Sequence, residues 1–472
     1  MIQHAELQAE AHSVGAQGST LSQAANISRP QLVGADQAVP LVTGEYRRHV
    51  NLDYAASTPP LETVAQAVTA LLPWYSSVHR GAGYKSQVST AAYEQARATV
   101  RAFFGARSDD TLIFTRHTTD SLNLLATCLP EQARVLATAV EHHANMLPWR
   151  RGQVEYLPIV SSAEELLEAL EQALLQADCS ITLVAATGAS NVTGEIWPLA
   201  EMATLAHRYG ARIVVDAAQL APHAPIDVEA LDLDYLAMSG HKLYAPFGIG
   251  VLIGRSDWLE QASPVVHGGG AVAAVTLDNV VWRGLPERHE AGTPNVVGAV
   301  ALAEACRTLS AYGMEKLAAE EAKLYDYCWQ RLSTIEGLEL YTVWDQRHPH
   351  IGVFTFNLAG YDHGKLATIL SAEYGISVRA GSFCAHPLVR HLLRTNREEG
   401  QVEDAALPHR PQSTRTGAVR LSLGLGTTHE EIDYTIAALQ TIAAQGAQWR
   451  YEHCPKSGEC RPVPDTRVWP AL

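Results

Sequence analysis

Short apolar runs alternate with stretches of helical periodicity up to about residue 240. A buried strand is a short apolar run and an amphipathic helix repeats its apolar positions every three to four residues, so this order predicts strand–helix–strand units. Such units build a mostly parallel α/β sheet with helices on both faces. The predicted helices cover residues 61–72, 89–104, 161–176 and 198–210, and the predicted strands cover 111–114, 134–139, 181–186, 212–217 and 235–239. The helix at 161–176 opens on Ser161 and Glu164, which have the spacing of a capping box.

The pattern changes after about residue 300, where helices precede strands that no longer alternate regularly with them. This change predicts a smaller C-terminal α+β domain that follows a large domain built on the parallel sheet. Residues 46–60 could pack with the small domain, although they belong to the start of the large one. The predicted division is a loosely ordered N-terminal extension at 1–45, a large domain at 46–295, a small domain at 296–445 with a polar insertion at 391–416, and an irregular tail at 446–472.

The composition is that of a globular protein and excludes several classes. The 472 residues include 35 basic and 50 acidic side chains, which gives a formal net charge of −15, and 47% of the residues are hydrophobic. This balance excludes an intrinsically disordered chain and argues against binding nucleic acid by phosphate neutralisation. No apolar run reaches the roughly 18 residues of a membrane span, and the first residues lack the basic-then-apolar order of a secretory signal. Seven cysteines, an odd number, argue against a disulfide framework and predict a reducing, cytoplasmic location.

The polar residues that follow two neighbouring predicted strands carry the chemistry. Asp216 ends one strand and is followed by Gln219, while Ser239, His241 and Lys242 end the next. Because ligands of an open α/β sheet sit beyond the carboxyl ends of its strands, we expect these side chains to converge there. Pyridoxal phosphate needs such a set: a lysine amine for a Schiff base, a carboxylate facing its pyridinium nitrogen, and hydroxyl and imidazole groups around it. Each residue alone has an ordinary structural interpretation, but a carboxylate and an amine at buried strand ends would be costly without a partner.

Nine short segments keep an order and spacing that can be compared with known families. They are NLDYAAS (51–57), VHRG (78–81), TT (118–119), EHHAN (141–145), SNV (190–192), DAAQ (216–219), SGHK (239–242), EAGTPN (290–295) and RAGSFC (379–384). With these segments the chain resembles the class V aminotransferase-like, fold-type I pyridoxal-phosphate enzymes. Within them it most resembles the group II cysteine desulfurases, the branch that includes selenocysteine lyases. The resemblance runs from about residue 48 to 445.

The resemblance implies further cofactor contacts. Thr118 and Thr119 match the hydroxyls that hold the phosphate at a helix N-terminus, a place that suits an anion on physical grounds as well. His142 matches the imidazole that stacks on the pyridine ring, and Asn191 matches a residue near the phenolic oxygen and the substrate. Thr293 matches a hydroxyl donated to the partner subunit's phosphate. The resemblance therefore implies a homodimer with two shared sites.

The resemblance also implies the reaction, which is desulfuration of L-cysteine to L-alanine. Lys242 would move the α-proton, Arg420 would bind the substrate carboxylate with Arg379 nearby, and Cys384 would take the sulfur as a persulfide. A free thiol is only a few per cent thiolate at neutral pH, so Cys384 needs activation. Either Arg379 or His386 could provide it, and the sequence does not distinguish them. A sulfur-acceptor protein would be the partner of such an enzyme.

Departures from the family pattern leave the substrate open. Ser382 and Phe383 stand where the desulfurases commonly have two histidines, and His267 stands where a glutamate is common. These changes keep two alternatives: a pyridoxal-phosphate C–S lyase that eliminates a cysteine S-conjugate, and an aminotransferase-like enzyme of specialised metabolism. A non-catalytic scaffold is disfavoured by the complete set of ionisable residues. In the tail, Cys454 and Cys460 do not have a standard zinc spacing, and no metal is expected.

Overall fold

The structure is a computed structural model that describes residues 28–176, 180–394, 417–454 and 459–471. Its first strands are β1 (Ala38–Pro40) and β2 (Tyr46–Arg48), which pair antiparallel, and β3 (Val50–Asn51). Leu41 and Val42 are buried beside them. Residues 28–45 thus differ from the loosely ordered extension predicted for 1–45, because two apolar side chains anchor them to the body of the protein. Residues 1–27 lie outside the described part.

The central sheet confirms the predicted, mostly parallel α/β architecture. It has seven strands in the spatial order β4-β10-β9-β8-β7-β5-β6 once they are numbered along the chain, and β10 runs antiparallel to both of its neighbours. The apolar runs form strands because the sheet removes their side chains from water, and three of the strands, β7, β9 and β10, are buried along their whole length. The strands are β4 (Thr111–Thr115), β5 (Arg134–Thr138), β6 (Gln153–Leu157), β7 (Leu183–Thr187), β8 (Arg212–Asp216), β9 (Tyr235–Ser239) and β10 (Gly250–Gly254).

Helices cover both faces of this sheet, because successive strand side chains point to opposite faces and both sets are apolar. In β8, Ile213 and Val215 join one hydrophobic cluster and Val214 joins another. Among the helices described, none is long and apolar enough to cross a membrane. They are α1 (Glu62–Leu71), α2 (Tyr84–Phe103), α3 (Thr118–Cys128), α4 (Ala163–Gln176), α5 (Leu199–Arg208), α6 (Ser256–Gln261) and α7 (Val296–Tyr312). Helices α3 and α6 pack on one face and the other five on the opposite face.

The cap of α4 lies one residue further along than predicted. The Ser162 hydroxyl accepts a hydrogen bond from the Glu165 N–H at 3.1 Å, and the Glu165 carboxylate accepts one from the Ser161 N–H at 2.9 Å. The predicted Ser161–Glu164 capping box is therefore wrong by one position. The register is set by burial, because Leu166 and Leu170 must face the core while Glu164 stays in solvent.

The C-terminal half forms a second, antiparallel sheet with its own hydrophobic cluster. This cluster includes Val50 and Leu52 from the N-terminal segment. The division into two domains, with the start of the large domain packing on the small one, remains our interpretation. A hairpin of β11 (Val272–Val275) and β12 (Val280–Trp282) precedes this C-terminal half in the chain. The order of strands in the second sheet is β13-β14-β17-β16, and β15 pairs with β3. The described elements of the C-terminal half are α8 (Met314–Leu332), β13 (Leu338–Tyr341), β14 (Val353–Leu358), α9 (His363–Tyr374), β15 (Ile376–Ser377), β16 (Arg379–Gly381), α10 (His386–Leu392), β17 (Ala418–Ser422) and α11 (His429–Gln445).

The tail contains more structure than the irregular segment predicted for 446–472. Strands β18 (Tyr451–His453) and β19 (Cys460–Pro462) pair antiparallel. The Tyr451 hydroxyl and the Trp449 N–H both donate to the Glu373 carboxylate of α9, at 2.9 and 3.1 Å. These contacts attach the tail to α9. Of the predicted insertion at 391–416, the described part ends α10, and residues 395–416 lie outside the described ranges.

A buried ion pair attaches the EAGTPN segment to the large sheet. Arg97 of α2 donates to both carboxylate oxygens of Glu290, at 2.8 and 2.9 Å, and its side chain is only 9% exposed. The Tyr93 hydroxyl and the Phe114 N–H also donate to Glu290, at 2.8 and 2.7 Å. Glu290 thus holds the segment that carries Thr293 against α2 and β4.

We expect Glu290→Gln to lower the free energy of unfolding by about 3 kcal/mol, because it removes the buried counter-charge of Arg97 and leaves only the half-exposed Glu94, 3.0 Å from its Nε atom. Urea denaturation followed by circular dichroism measures the change. The matched control is Glu304→Gln, which breaks a more exposed pair with Arg307 and should cost less than about 1 kcal/mol. Equal costs for the two variants would contradict the role given to Glu290.

Candidate active site

One cavity of about 440 Å³ brings together residues from both sheets. It lies at the carboxyl ends of the parallel strands, where the topology of an open α/β sheet places ligands. Thr293 is the one predicted site residue outside it, and its side chain is exposed on the surface. The predicted residues that line the cavity are Thr118, Thr119, His142, Asn191, Asp216, Gln219, Ser239, His241, Lys242, Arg379, Cys384 and Arg420.

The N-terminus of α3 forms an anion-binding corner of the cavity. The Ser239 hydroxyl lies 2.8 Å from the Thr118 nitrogen and 2.7 Å from its hydroxyl oxygen, which joins β9 to the first turn of α3. Strand β10 comes so close to this turn that a Cβ on Gly250 would lie 2.6 Å from the Cα of His117. Free N–H groups and the helix dipole make such a turn a natural site for a phosphate.

Lys242 and Asp216 place an amine and a carboxylate on the cavity wall. Asp216 is 5% exposed, and its Oδ1 atom accepts a hydrogen bond from the Ala218 N–H at 3.0 Å. Burial raises the pKa of Asp216, while that N–H and the charge of Lys242 oppose the rise. Burial lowers the pKa of Lys242 to about 8, against the opposite effect of the Asp216 charge. The amine therefore exists in both protonation states close to neutral pH.

His142 is held as a neutral imidazole. Its Nδ1 atom accepts a hydrogen bond from the Ala144 N–H at 3.0 Å, so the remaining proton sits on Nε2. Burial, reinforced by the charge of Lys242, lowers the pKa of His142 to about 3. A neutral ring is suited to stack on an aromatic ligand without adding a positive charge beside the lysine.

Arg420 forms the opposite, cationic end of the cavity. It is 3% exposed, and its Nη1 atom donates to the Asn191 carbonyl at 2.8 Å. Its Nη2 atom is 3.4 Å from the Asp53 carboxylate, and the Phe383 ring lies 5.2 Å from its guanidinium carbon. The Nε atom is buried and has no hydrogen-bond partner. The guanidinium thus has donor capacity left for a carboxylate ligand.

Cys384 lies in a backbone conformation that residues other than glycine rarely adopt. Phe383 and Cys384 have φ values of 51° and 54°, in the left-handed region. Two hydrogen bonds of 2.8 Å hold their carbonyls, one from the Asn191 side-chain amide and one from the His143 N–H. Among the cysteines that the structure describes, Cys384 is the exposed one. The strained residue thus carries an exposed thiol that lines the cavity.

His386, one of the two suggested activators of Cys384, contacts a second imidazole. Its ring packs edge-on against His143, with 4.7 Å between the ring centroids. Arg379 lines the cavity together with the thiol. Both Arg379 and His386 therefore remain candidates for the activator of Cys384.

Several residues of the cavity wall were not predicted as site residues. Arg116 and His117 flank the phosphate corner, and Phe383 packs against Arg420. Asp53, which contacts Arg420, lies in the NLDYAAS segment. This segment contributes to the family resemblance, but the sequence predicts no role for its aspartate. Its contacts come from residues far away in the sequence and could not be inferred from spacing.

The donor set fits pyridoxal phosphate. A buried amine, a carboxylate, a neutral imidazole and a phosphate-binding helix turn line the same cavity. The Gln219 amide donates to the Ala55 carbonyl at 2.8 Å, but its Oε1 atom is buried without a partner, so one hydrogen-bonding position of this cavity-lining amide is unfilled. Within the described ranges, no three His, Cys, Asp or Glu side chains come together as candidate metal ligands.

Comparison with known proteins gives consistent results. Residues 50–435 match the family model described as Aminotransferase class-V. A protein of Halalkalibacterium halodurans named probable cysteine desulfurase is 38% identical over 355 residues, which cover 73% of this chain and 86% of that protein. A probable cysteine desulfurase of Mycolicibacterium paratuberculosis is 37% identical over 382 residues, 79% of this chain and 52% of that protein, so the chain spans about half the length of that relative.

Solved structures show the same similarity. The apo structure of a cysteine desulfurase from Thermococcus onnurineus NA1 superposes with a TM-score of 0.73 at 30% sequence identity, and the match covers 84% of this chain and 94% of that one. The likeness therefore extends over most of the chain.

We expect Asp216→Asn to lower the pKa of Lys242 below the value of about 8 found with the carboxylate present. The negative charge of Asp216 favours the ammonium form, so its removal favours the neutral amine. Competitive acetylation of the ligand-free protein across a pH series, read by mass spectrometry at Lys242, measures the pKa. An unchanged or higher pKa in the variant would contradict the electrostatic coupling.

Proposed function

The chain belongs to the aminotransferase class-V family, and on that premise we propose that it is a pyridoxal-phosphate-dependent cysteine desulfurase. It converts L-cysteine to L-alanine and takes the sulfur onto Cys384 as a persulfide. The observation that carries this proposal is that one cavity holds a lysine amine, an arginine with unfilled donor capacity and an exposed thiol. These three groups match the amino group, the carboxylate and the sulfur of one cysteine molecule.

The residues that would hold the cofactor divide into three groups. Thr118, Thr119, Ser239 and His241 would hold the phosphate at the start of α3, and Lys242 would attach the cofactor covalently. The remaining residues, Asp216, Gln219, Asn191 and His142, would contact the ring. When bound, pyridoxal phosphate supplies an electron sink for the α-carbon of an amino acid.

Lys242 moves the proton of the substrate. Its Nζ atom removes the α-proton of cysteine and returns a proton to form alanine. A base works best when its pKa lies near the working pH, and the lowered pKa of Lys242 meets this condition. The carboxylate of Asp216 lines the same cavity and favours positive charge beside it.

Arg420 and Cys384 act on the two ends of the substrate. The guanidinium binds the α-carboxylate and fixes the orientation of the amino acid. The Cys384 thiolate attacks the substrate sulfur, a sulfur–sulfur bond forms, and the bond from that sulfur to the β-carbon breaks. The three-carbon fragment is protonated and leaves as alanine, while the sulfur remains on Cys384 for an acceptor protein. A reducing cytoplasm, which keeps the thiol free, is part of this proposal.

We expect Cys384→Ser to lower sulfide and alanine release from L-cysteine by roughly 10²-fold or more, because a hydroxyl cannot accept the sulfur. Lys242→Ala should lose both activity and the cofactor mass that borohydride reduction fixes on that residue. Cys460→Ser, a cysteine outside the cavity, is the matched control and should remain active. Full sulfide release by Cys384→Ser would exclude the persulfide role, and pyruvate with ammonia in place of alanine would identify a C–S lyase.

We also propose that two copies of the chain form a homodimer with shared sites. Thr293 is exposed outside its own cavity, as a residue that serves a partner subunit would be. The Gly292 N–H donates to the Gly269 carbonyl at 2.7 Å, which links the Thr293 segment to the β11–β12 hairpin. This hairpin exposes Val275, Val281 and Leu277, the last of them completely. Exposed apolar patches of this kind mark interfaces.

Leu277→Asp should convert the dimer to monomer at micromolar concentration, because it places a charge in an apolar contact. Size-exclusion chromatography with light scattering measures the mass, and absorbance of the bound cofactor should fall in parallel. Leu175→Asp, at an exposed leucine of α4, is the matched control and should leave both unchanged. A stable Leu277→Asp dimer with full cofactor would contradict the shared-site arrangement.

A further inference from the structure

Two arginines of the cavity lie directly opposite each other on neighbouring strands. Arg379 of β16 and Arg420 of β17 form a register pair of the small sheet. Like charges placed directly across a strand pair repel each other and destabilise it. One carboxylate, that of Asp53, lies between them: its Oδ1 atom is 3.4 Å from Nη2 of Arg420, and its Oδ2 atom is 3.7 Å from Nη1 of Arg379.

The backbone around Asp53 is fixed on both sides. The Ser422 N–H donates to the Leu52 carbonyl at 2.7 Å, and the Leu52 N–H donates to the Ser377 carbonyl at 2.9 Å. The Ala55 N–H donates to the Ser422 hydroxyl at 2.9 Å. The segment is thus attached to the strands on either side of it. The short Asp53 side chain, 19% exposed, has little freedom to leave its place between the guanidinium groups.

Asp53 does not complete the hydrogen bonding of Arg420. Its distance of 3.4 Å exceeds the usual 2.7–2.9 Å of a charge-assisted bond, and the Nε atom of Arg420 has no partner. Asp53 does not line the cavity, whereas both arginines do. With two positive groups and one negative group, the carboxylate-binding end of the cavity carries a net charge of +1, which a single substrate carboxylate would neutralise.

We propose that Asp53 is a positioning residue that holds Arg379 and Arg420 together and sets the charge of this end of the cavity, so that the site favours amino acids with one carboxylate over those with two. The proposal rests on the function assigned to Arg420 above. Without Asp53 the repulsion between the arginines would be unopposed, and the surplus positive charge would attract a second carboxylate.

The test measures binding rather than turnover. The dissociation constants of L-alanine, with one carboxylate, and L-aspartate, with two, are determined by calorimetry on the cofactor-loaded enzyme. In Asp53→Asn the alanine-to-aspartate ratio of dissociation constants should rise by about threefold or more, because the added positive charge attracts the second carboxylate of aspartate. A purely structural loss would weaken both ligands equally and leave the ratio unchanged.

A double-mutant cycle of two charge-neutralising substitutions completes the experiment. Arg379→Gln should lower the same ratio by about threefold or more, and the double variant, whose net charge is again +1, should lie within about twofold of the original protein. Asp36→Asn is the matched control: its carboxylate is 95% exposed and 3.4 Å from Arg48, and the ratio should not move.

The outcomes separate this proposal from the function it rests on. If the ratio in Asp53→Asn changes by less than about threefold, the role proposed for Asp53 is wrong. The proposed function is unaffected in that case, provided that the unaltered enzyme turns over L-cysteine. If Asp53→Asn does not fold, the double variant decides: its ratio should exceed that of Arg379→Gln by about threefold or more. Absence of both L-alanine binding and L-cysteine turnover in the unaltered enzyme would instead overturn the proposed function.

Discussion

The active site depends on three hydrogen bonds that join the two sheets. The Arg420 guanidinium donates to the Asn191 carbonyl, the Asn191 amide donates to the Phe383 carbonyl, and the His143 N–H donates to the Cys384 carbonyl, each at 2.8 Å. The lysine and the phosphate corner belong to the large sheet, whereas the arginine and the thiol belong to the small one. These bonds fix the distance between the two halves. A displacement of about 1 Å between the halves would be enough to impair a reaction that needs aligned groups.

The same bonds explain how the Cys384 loop keeps an unfavourable backbone. Two consecutive non-glycine residues in the left-handed region cost of order 1–3 kcal/mol each, and the local turn bond, from the Ala385 N–H to the Ser382 carbonyl at 2.8 Å, involves neither of their own carbonyls. The carbonyls of both residues are instead held by Asn191 and His143, which lie far away in the chain. Strain that distant contacts maintain at one exposed thiol is consistent with a functional rather than a folding role for the loop.

Sequence patterns predict the parts of this structure that local burial determines. The apolar run at 235–239 becomes β9 with the same bounds, and the strand ends bring Asp216 and Lys242 into one cavity as the topology requires. Helix α2 begins at Tyr84 rather than at residue 89, because its first turn is polar and carries no apolar repeat. The β1–β2 pair escapes prediction for a similar reason, since β2 is exposed along its length. The role of Asp53 depends on Arg420, 367 positions away, and no local pattern encodes that contact.

The charge of the cavity differs in sign from the net charge of the whole chain. The chain carries a net charge of −15, yet its cavity gathers Lys242, Arg379 and Arg420, in addition to Arg116, which pairs with Asp120. Burial lowers the pKa values of His142 and His241 to about 3 and 4, so neither imidazole adds a positive charge at neutral pH. The remaining cations are offset by two carboxylates, Asp216 at the lysine end and Asp53 at the arginine end. The lysine end is therefore balanced, and only the arginine end is left with room for one anionic group, the cofactor's phosphate corner apart. The position of the carboxylates, rather than the number of cations, determines which amino acid fits.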